Sequence, residues 1–253
     1  MTFLHANVDG FATHSVDILT VVKGLVDKPM IICLNETKLL KPPPGQKPDN
    51  IAELEGYKII CRRDRDSINK GGGIAVYARS DIFEQITLLE VSKTEERAWF
   101  MVHTDQGPYL LGCWYRPPGE SLQGIYNFRD EFDNHRPSSV GAIIIGDLNI
   151  HQQSWLRFSD GDTPAGRLLQ EMCMTRGMRQ LVKQPTRYEN LLDLVITDIP
   201  SATVEVGAKI RDHNCVKAGL NLTVQQSFKL KREVWDYRKA NWGRMRDMLE
   251  DTN

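Results

Sequence analysis

Several things that would classify a protein quickly are scarce in this sequence. There are five cysteines in 253 residues, Cys33, Cys61, Cys113, Cys173 and Cys215. Their number is odd, they are far apart, and no Cys-x-x-Cys pair occurs. This excludes a disulfide framework and argues against a cysteine zinc site. Three of them sit in apolar runs, where a thiol behaves as a small hydrophobe, and a reducing, intracellular setting is the expectation. No apolar run is long enough to cross a bilayer. The N-terminus lacks the basic-then-apolar order of a secretory signal, so no membrane partner is expected. Positive charge is not in excess either. Lys and Arg number 32 against 33 Asp and Glu, for a formal net charge of -1. Any affinity for nucleic acid must come from local basic surface.

What is present is an ordinary globular composition, 41% hydrophobic and 26% charged, at a length that suits one large α/β domain. Short apolar segments at residues 2–8, 57–61, 74–78, 86–91, 98–103, 109–115, 191–197, 203–208 and 215–222 are expected strands. The continuous runs at 30–34 and 142–145 suit strands covered on both faces. Thr13 is a candidate cap for a helix burying Val16, Leu19, Val22 and Val26. Residues 121–132 suit a second helix. Thr163-Pro164 has the cap-then-proline signature of a third, with Leu168, Leu169 and Met172 inward. The four prolines of residues 41–48 mark a surface loop, and residues 62–70 a charged one. Two packed sheets flanked by helices account for the pattern. Beyond residue 224 the composition shifts. Residues 228–246 carry seven Lys/Arg against Glu233 and Asp236, as in a linker and an amphipathic helix outside a main domain of residues 1–224.

The chemistry gathers where strands end. Polar clusters follow apolar segments at Asn7-Val8-Asp9-Gly10, Asn35-Glu36-Thr37-Lys38, Trp114-Tyr115-Arg116-Pro117-Pro118 and Gly146-Asp147-Leu148-Asn149. Asp193 sits inside an apolar strand, where a carboxylate needs a partner, and Asp212-His213 comes later. Phosphodiester cleavage calls for these residue types. A hard divalent cation on carboxylates stabilises the transition-state charge, and a carboxylate orients or deprotonates water. Asn, Tyr and His hold phosphoryl oxygens, and a buried Asp fixes the His tautomer.

The order of these motifs resembles the endonuclease/exonuclease/phosphatase superfamily, and within it the apurinic/apyrimidinic-type endonuclease domain of non-LTR retrotransposons. The likeness spans roughly residues 3–222. Gly71-Gly72-Gly73-Ile74-Ala75-Val76-Tyr77, Tyr115-Arg116-Pro117-Pro118 and Pro185-Thr186-Arg187 favour the retrotransposon branch. So does Val234-Trp235-Asp236-Tyr237, which is similar to the stretch leading to a reverse transcriptase. The resemblance implies a DNase I-like four-layer α/β sandwich with two mixed sheets. It implies a DNA endonuclease whose 3′-hydroxyl product primes reverse transcription. Glu36 would be the principal Mg2+ ligand (Mn2+ as the alternative ion), with Asp9, Asn7 and Asp212 around it. Asp147 would act on the water. Asn149, Tyr115 and His213, backed by Asp193, would hold the phosphate. Thr186, Arg116, Arg187 and Arg211 would meet double-stranded DNA. It further implies a reverse-transcriptase region of the same polyprotein as partner, a nuclear location, and an isolated domain that is monomeric. Rival expectations are an abasic-site repair enzyme or other phosphoesterase of the same fold, and an inactive relic or DNA-binding module. The family's final Ser-Asp-His is Arg211-Asp212-His213 here. Arg211 is expected either to pair with Asp212 and draw it aside, lowering the rate, or to grip a phosphate. Arg62, Arg63, Arg65 and Lys70 are further candidates for phosphate contact.

Overall fold

A computed structural model describes residues 1–43, 45, 52–65, 71–226 and 237–251. Lys70, residues 66–69, most of the proline-rich loop and Val234-Trp235-Asp236 lie outside the described residues. The strands are β1 (Thr2–Asn7), β2 (Ile31–Asn35), β3 (Tyr57–Arg63), β4 (Ile74–Arg79), β5 (Ile86–Val91), β6 (Glu96–Thr104), β7 (Gly107–Tyr115), β8 (Gly141–Asp147), β9 (Arg179–Gln180), β10 (Asp193–Thr197), β11 (Thr203–Ile210) and β12 (His213–Gly219). The helices are α1 (Phe11–Gly24), α2 (Gln123–His135), α3 (Pro164–Thr175) and α4 (Trp242–Glu250).

Two six-stranded sheets form, in the orders β11-β12-β1-β2-β4-β3 and β5-β6-β7-β8-β10-β9. Each is antiparallel apart from one parallel pair, β1 with β2 and β7 with β8. A parallel neighbour requires a crossover, supplied by α1 and α2 respectively. The sheets pack face to face through β1 and β2 on β8, and β2 and β4 on β7. This is the expected DNase I-like sandwich of two mixed sheets flanked by helices.

Alternation along β1 sorts its side chains between two cores. Phe3 joins the large core between the sheets, while Leu4 and Ala6 join a smaller one beneath α1. His5 and Asn7 share the parity of Phe3, so the inter-sheet face carries polar groups toward its end. All five cysteines are free and buried.

The helix expectations hold for α3 and need revision for α1. Thr163 caps α3, accepting from the Gly166 amide at 3.0 Å with Pro164 at the first helical position, and Leu169 and Met172 are buried. Helix α1 starts earlier, after Gly10, and buries Phe11, Ile18 and Val22. Val16 and Val26 are exposed. Val22 and Leu19 do face the smaller core as expected, and Val26 lies beyond the helix end at Gly24. Arg62 and Arg63 belong to β3 rather than a loop. Arg62 pairs with Asp64 at 2.6 Å, and Arg63 donates to the Ser92 and Glu95 carbonyls. Helix α4 forms as expected, capped by Asn241, and is exposed along its length. No helix of the described residues is long and apolar enough to cross a membrane.

Candidate active site

The parallel pairs of both sheets end at the same edge, and β10 and β12 begin there. Register does the positioning. Asn7 lies opposite Asn35 in one sheet, and Asp147 opposite Asp193 in the other. Hydrogen bonds then stitch the two rows together. The Asp147 amide donates to Asn35 Oδ1 at 2.8 Å, Asn7 Nδ2 donates to Asp147 Oδ2 at 2.8 Å, and His5 Nε2 meets Asp193 Oδ1 at 2.7 Å. The glycine of Gly146-Asp147 is dictated by this approach. A Cβ there would sit 1.7 Å from the Trp114 carbonyl oxygen.

Asp193 is fully buried and accepts on both oxygens, from His5 and from His213 Nδ1 at 2.8 Å. Burial alone would raise its pKa. The His213 charge and the hydrogen bonds from both imidazoles outweigh burial and hold Asp193 well below the usual carboxylate range. His213 responds in the opposite sense. Burial disfavours its charge, but Asp193 beside it lifts the pKa to about 9, so the ring is an imidazolium at neutral pH. Asp147, equally buried, has its pKa raised by burial and then by the Asp193 charge across the ladder, as expected for like charges placed opposite. His213 Nε2 and Asp147 Oδ2 stand 4.0 Å apart, too far for a hydrogen bond to each other.

Glu36 completes the buried edge of the site. Its Oε1 accepts from Asn7 Nδ2 at 3.1 Å and from the Tyr115 hydroxyl at 2.9 Å. Burial and the Glu36 charge push the Tyr115 pKa up, so this hydroxyl keeps its proton and donates. Asn149 Nδ2 donates to the Arg116 carbonyl at 3.0 Å, and its amide to Asp147 Oδ1 at 3.2 Å. Asp9, Glu36, Lys38, Asn149 and Arg211 all have φ between 43° and 54°. Left-handed non-glycine backbone is uncommon and collects at functional sites, and here it collects around one edge.

The metal expectation rested on Glu36, Asp9, Asn7 and Asp212. Among the described residues the trio of metal-type side chains with ligand atoms within 4.8 Å is instead Asp147, Asp193 and His213. We do not read that trio as a closed metal centre, because His5 and His213 already occupy both oxygens of Asp193. Glu36 and Asp147, bridged by the Asn7 Nδ2 that donates to both, offer the hard oxygen donors that Mg2+ or Mn2+ prefers. Burial first, and the Asp193 charge second, raise the pKa of Asp147, and a cation beside it would favour its ionised form. These residues therefore fit a divalent ion. Asp212 instead faces Arg187, whose Nε lies 2.9 Å from its Oδ2.

Two of the expected DNA contacts are corrected. Thr186 is fully buried, and its Oγ1 accepts from the Leu192 and Asp193 amides at 3.1 and 3.0 Å. It therefore aims the Asp193 backbone and does not touch a ligand. Arg116 is also buried, with Nε 3.5 Å from Glu120 Oε2 and an NH2 donating to the Glu120 carbonyl. Arg211 does not pair with Asp212. Its Nε lies 2.6 Å from Asp9 Oδ2. Arg187 and Arg211 remain half open to solvent.

Sequence reasoning missed His5 and Asn35. The signal was available for His5, an imidazole inside an apolar strand, by the reasoning that singled out Asp193. Asn35 was visible only as part of a motif, because its partner is 112 positions away.

Comparison with known proteins agrees with this fold. Residues 109–216 match the family described as endonuclease-reverse transcriptase. No curated protein matches in sequence. Among solved structures, the endonuclease domain of TRAS1, a telomere-specific non-LTR retrotransposon, aligns with a TM-score of 0.63 at 15% identity, covering 87% of this chain and 98% of that one. The 3′ phosphatase NExo from Neisseria, bound to a product DNA hairpin, gives 0.65 at 14%, covering 87% and 99%. The AP endonuclease LMAP from Leishmania major gives 0.65 at 14%, covering 86% of each chain. At these identities the likeness to solved structures is one of fold.

Proposed function

From a chain with the fold of the endonuclease/exonuclease/phosphatase superfamily, and a match to the endonuclease-reverse transcriptase family over residues 109–216, we propose a divalent-cation-dependent DNA endonuclease. It hydrolyses one phosphodiester bond of a duplex and leaves a 3′-hydroxyl that primes reverse transcription of a non-LTR element. The observation that carries this reading is the His5–Asp193–His213 chain ending beside Asp147.

In this reading Asp147 orients the attacking water and takes its proton, a task suited to a carboxylate whose pKa is raised. His213 presents a positive charge to the phosphoryl oxygens, and Asp193 fixes its tautomer by holding Nδ1. Tyr115 and Asn149 position the phosphate. Glu36 and Asp147, bridged by Asn7, would hold Mg2+ or Mn2+, which supplies Lewis-acid stabilisation of transition-state charge and of the leaving oxygen. Residues 1–224 form the nuclease, and α4 leads toward a reverse-transcriptase region of the same polyprotein acting in the nucleus. Purified protein should nick supercoiled plasmid with Mg2+ and stop with EDTA, and the nicked ends should be extendable by a polymerase. Nicking that survives EDTA, Asp147→Ala and His213→Ala alike would count against the proposal.

A cleft of about 430 Å3 beside Asn149, lined by Arg116, Glu120, His151 and Pro164 among others, favours a second reading as an abasic-site endonuclease. Such an enzyme needs a pocket for a flipped-out residue. The match to the endonuclease-reverse transcriptase family over residues 109–216 ranks this reading second. Relative cleavage of an abasic duplex and an intact one separates the two.

A further inference from the structure

Glu36 follows β2 in one sheet, whereas Asp147 and Tyr115 end β8 and β7 in the other. A cation held between Glu36 and Asp147 therefore depends on how the two sheets seat at this edge. The backbone after Glu36 hangs from a glycine loop. The Thr37 amide donates to the Gly73 carbonyl at 3.1 Å, and the Lys38 amide to the Gly72 carbonyl at 2.9 Å. Glu36 and Lys38 are both left-handed, with φ of 50° and 54°, so the turn needs bonds from outside to hold it. Gly73 has a φ of 93°, and a Cβ there would lie 2.5 Å from Thr37 Oγ1. A Cβ on Gly71 would come 4.0 Å from Glu36 Oε2, so the loop also borders the carboxylate itself.

The glycine loop is in turn held by Glu96, the first residue of β6, whose Oε2 accepts from the Gly73 amide. Glu96 lies opposite Tyr115 across the β6–β7 ladder, and the Tyr115 hydroxyl donates to Glu36 Oε1 at 2.9 Å. One cross-strand pair thus reaches Glu36 twice, through its backbone and through its carboxylate. Arg63 of β3 donates to the Ser92 and Glu95 carbonyls next to Glu96, which ties the start of β6 to the sheet that carries Glu36. We propose that Glu96 is a positioning residue for Glu36: by fixing the Gly72-Gly73 loop it sets the affinity for the divalent cation and leaves the chemical step alone. This rests on reading the site as a divalent-cation nuclease. A hydrogen bond to a carboxylate is worth about tenfold or more in an equilibrium constant. Losing it lowers the population of the arrangement that can take a cation, and the apparent affinity falls with that population.

The test uses two variants of the full chain. Glu96→Asp keeps the charge but is one methylene too short to reach Gly73, and Glu96→Gln loses the charge but keeps the acceptor. Two properties are measured: amide hydrogen exchange at Thr37 and Lys38 without metal, and Mn2+ binding by electron paramagnetic resonance. Glu96→Asp should speed exchange of both amides about tenfold, leave the β8 amides unchanged, and weaken Mn2+ binding about tenfold. The Mg2+ concentration for half-maximal nicking should rise alike, with the saturated rate within about twofold of natural. Glu96→Gln should recover to within about threefold of the natural protein in each measurement. Natural exchange and natural Mn2+ affinity in Glu96→Asp overturn the proposal. So does Glu96→Gln behaving like Glu96→Asp, which would make charge the cause. Faster exchange in β8 as well, or a lost saturated rate at unchanged Mn2+ affinity, also overturns it. If the natural protein fails to bind millimolar Mn2+, the cation reading falls together with the proposal, whereas failure of the proposal alone leaves that binding intact.

Discussion

The site has two halves built on different physics. Asp147, Asp193, His213, His5 and Asn7 are almost completely buried, and each is held by hydrogen bonds at 2.7 to 3.2 Å. Lys38 and Arg211 share Asp9, Arg187 pairs with Asp212, and all five lie nearer solvent. In the buried half, low dielectric makes charge expensive, so protonation states are set by position and change little with solvent. In the open half, screening makes each pair cheap to exchange. Proton transfer needs fixed geometry, whereas meeting a polyanion needs partners that let go. The division of burial matches that division of labour.

If this comparison is sound, substitutions in the buried half should cost far more than those in the open half. The largest effect is expected for Asp147→Ala, a loss of about 10²–10⁴-fold in nicking rate. Plasmid-nicking kinetics check it, and a loss under tenfold would mean that another group acts on the water. His213→Ala should cost about 10²–10³-fold. Its pH signature is separate. The folded pKa of His213 lies above its ordinary value, so its contribution to stability is complete below about pH 6.5 and is lost as pH rises through about 9. Urea unfolding between those pH values should show stability falling in the natural protein, and His213→Gln should flatten the slope. The nicking rate should decline as pH rises through about 9, where the folded imidazolium loses its proton.

His5→Ala tests whether the buried chain is a unit. It strips the donor from Asp193 Oδ1, and should cost about 1–3 kcal/mol of stability by chemical denaturation. It should also lower nicking about 10- to 100-fold through misplacement of Asp193, while His5→Gln, which keeps a donor, should recover part of both. The smallest effect belongs to the open half. Arg187→Ala should weaken DNA binding a few-fold and lower the salt dependence by about one counterion. A salt slope that does not move would make Arg187 a partner of Asp212 and nothing more.

Most strand positions and the residue types gathered at the strand ends could be read in advance, because each depends on local pattern. Apolar runs at 30–34 and 142–145 became β2 and β8, and the polar clusters that follow them became the site. The inward face of α1 was read only in part: Leu19 and Val22 face the core, while the helix starts at Phe11 and ends at Gly24, before Val26. Thr186 and Arg116 were assigned to the DNA surface because a sequence shows residue type without burial. Both turned out to be internal supports, one for the Asp193 backbone and one for the β7–α2 loop.

The sequence by itself determined the fold class, the set of acids, amides and imidazoles, and the four strand-end clusters, since these follow from hydrophobic spacing and residue chemistry. Only the tertiary structure decided which of those groups became partners. Asp193 meets both His5 and His213, Asp147 meets Asn7 and Asn35, and Arg211 meets Asp9. Those pairings join distant positions, 188 residues apart for His5 and Asp193 and farther still for Arg211 and Asp9. They are fixed by register within each sheet and by how one sheet seats on the other, and no local pattern encodes that contact.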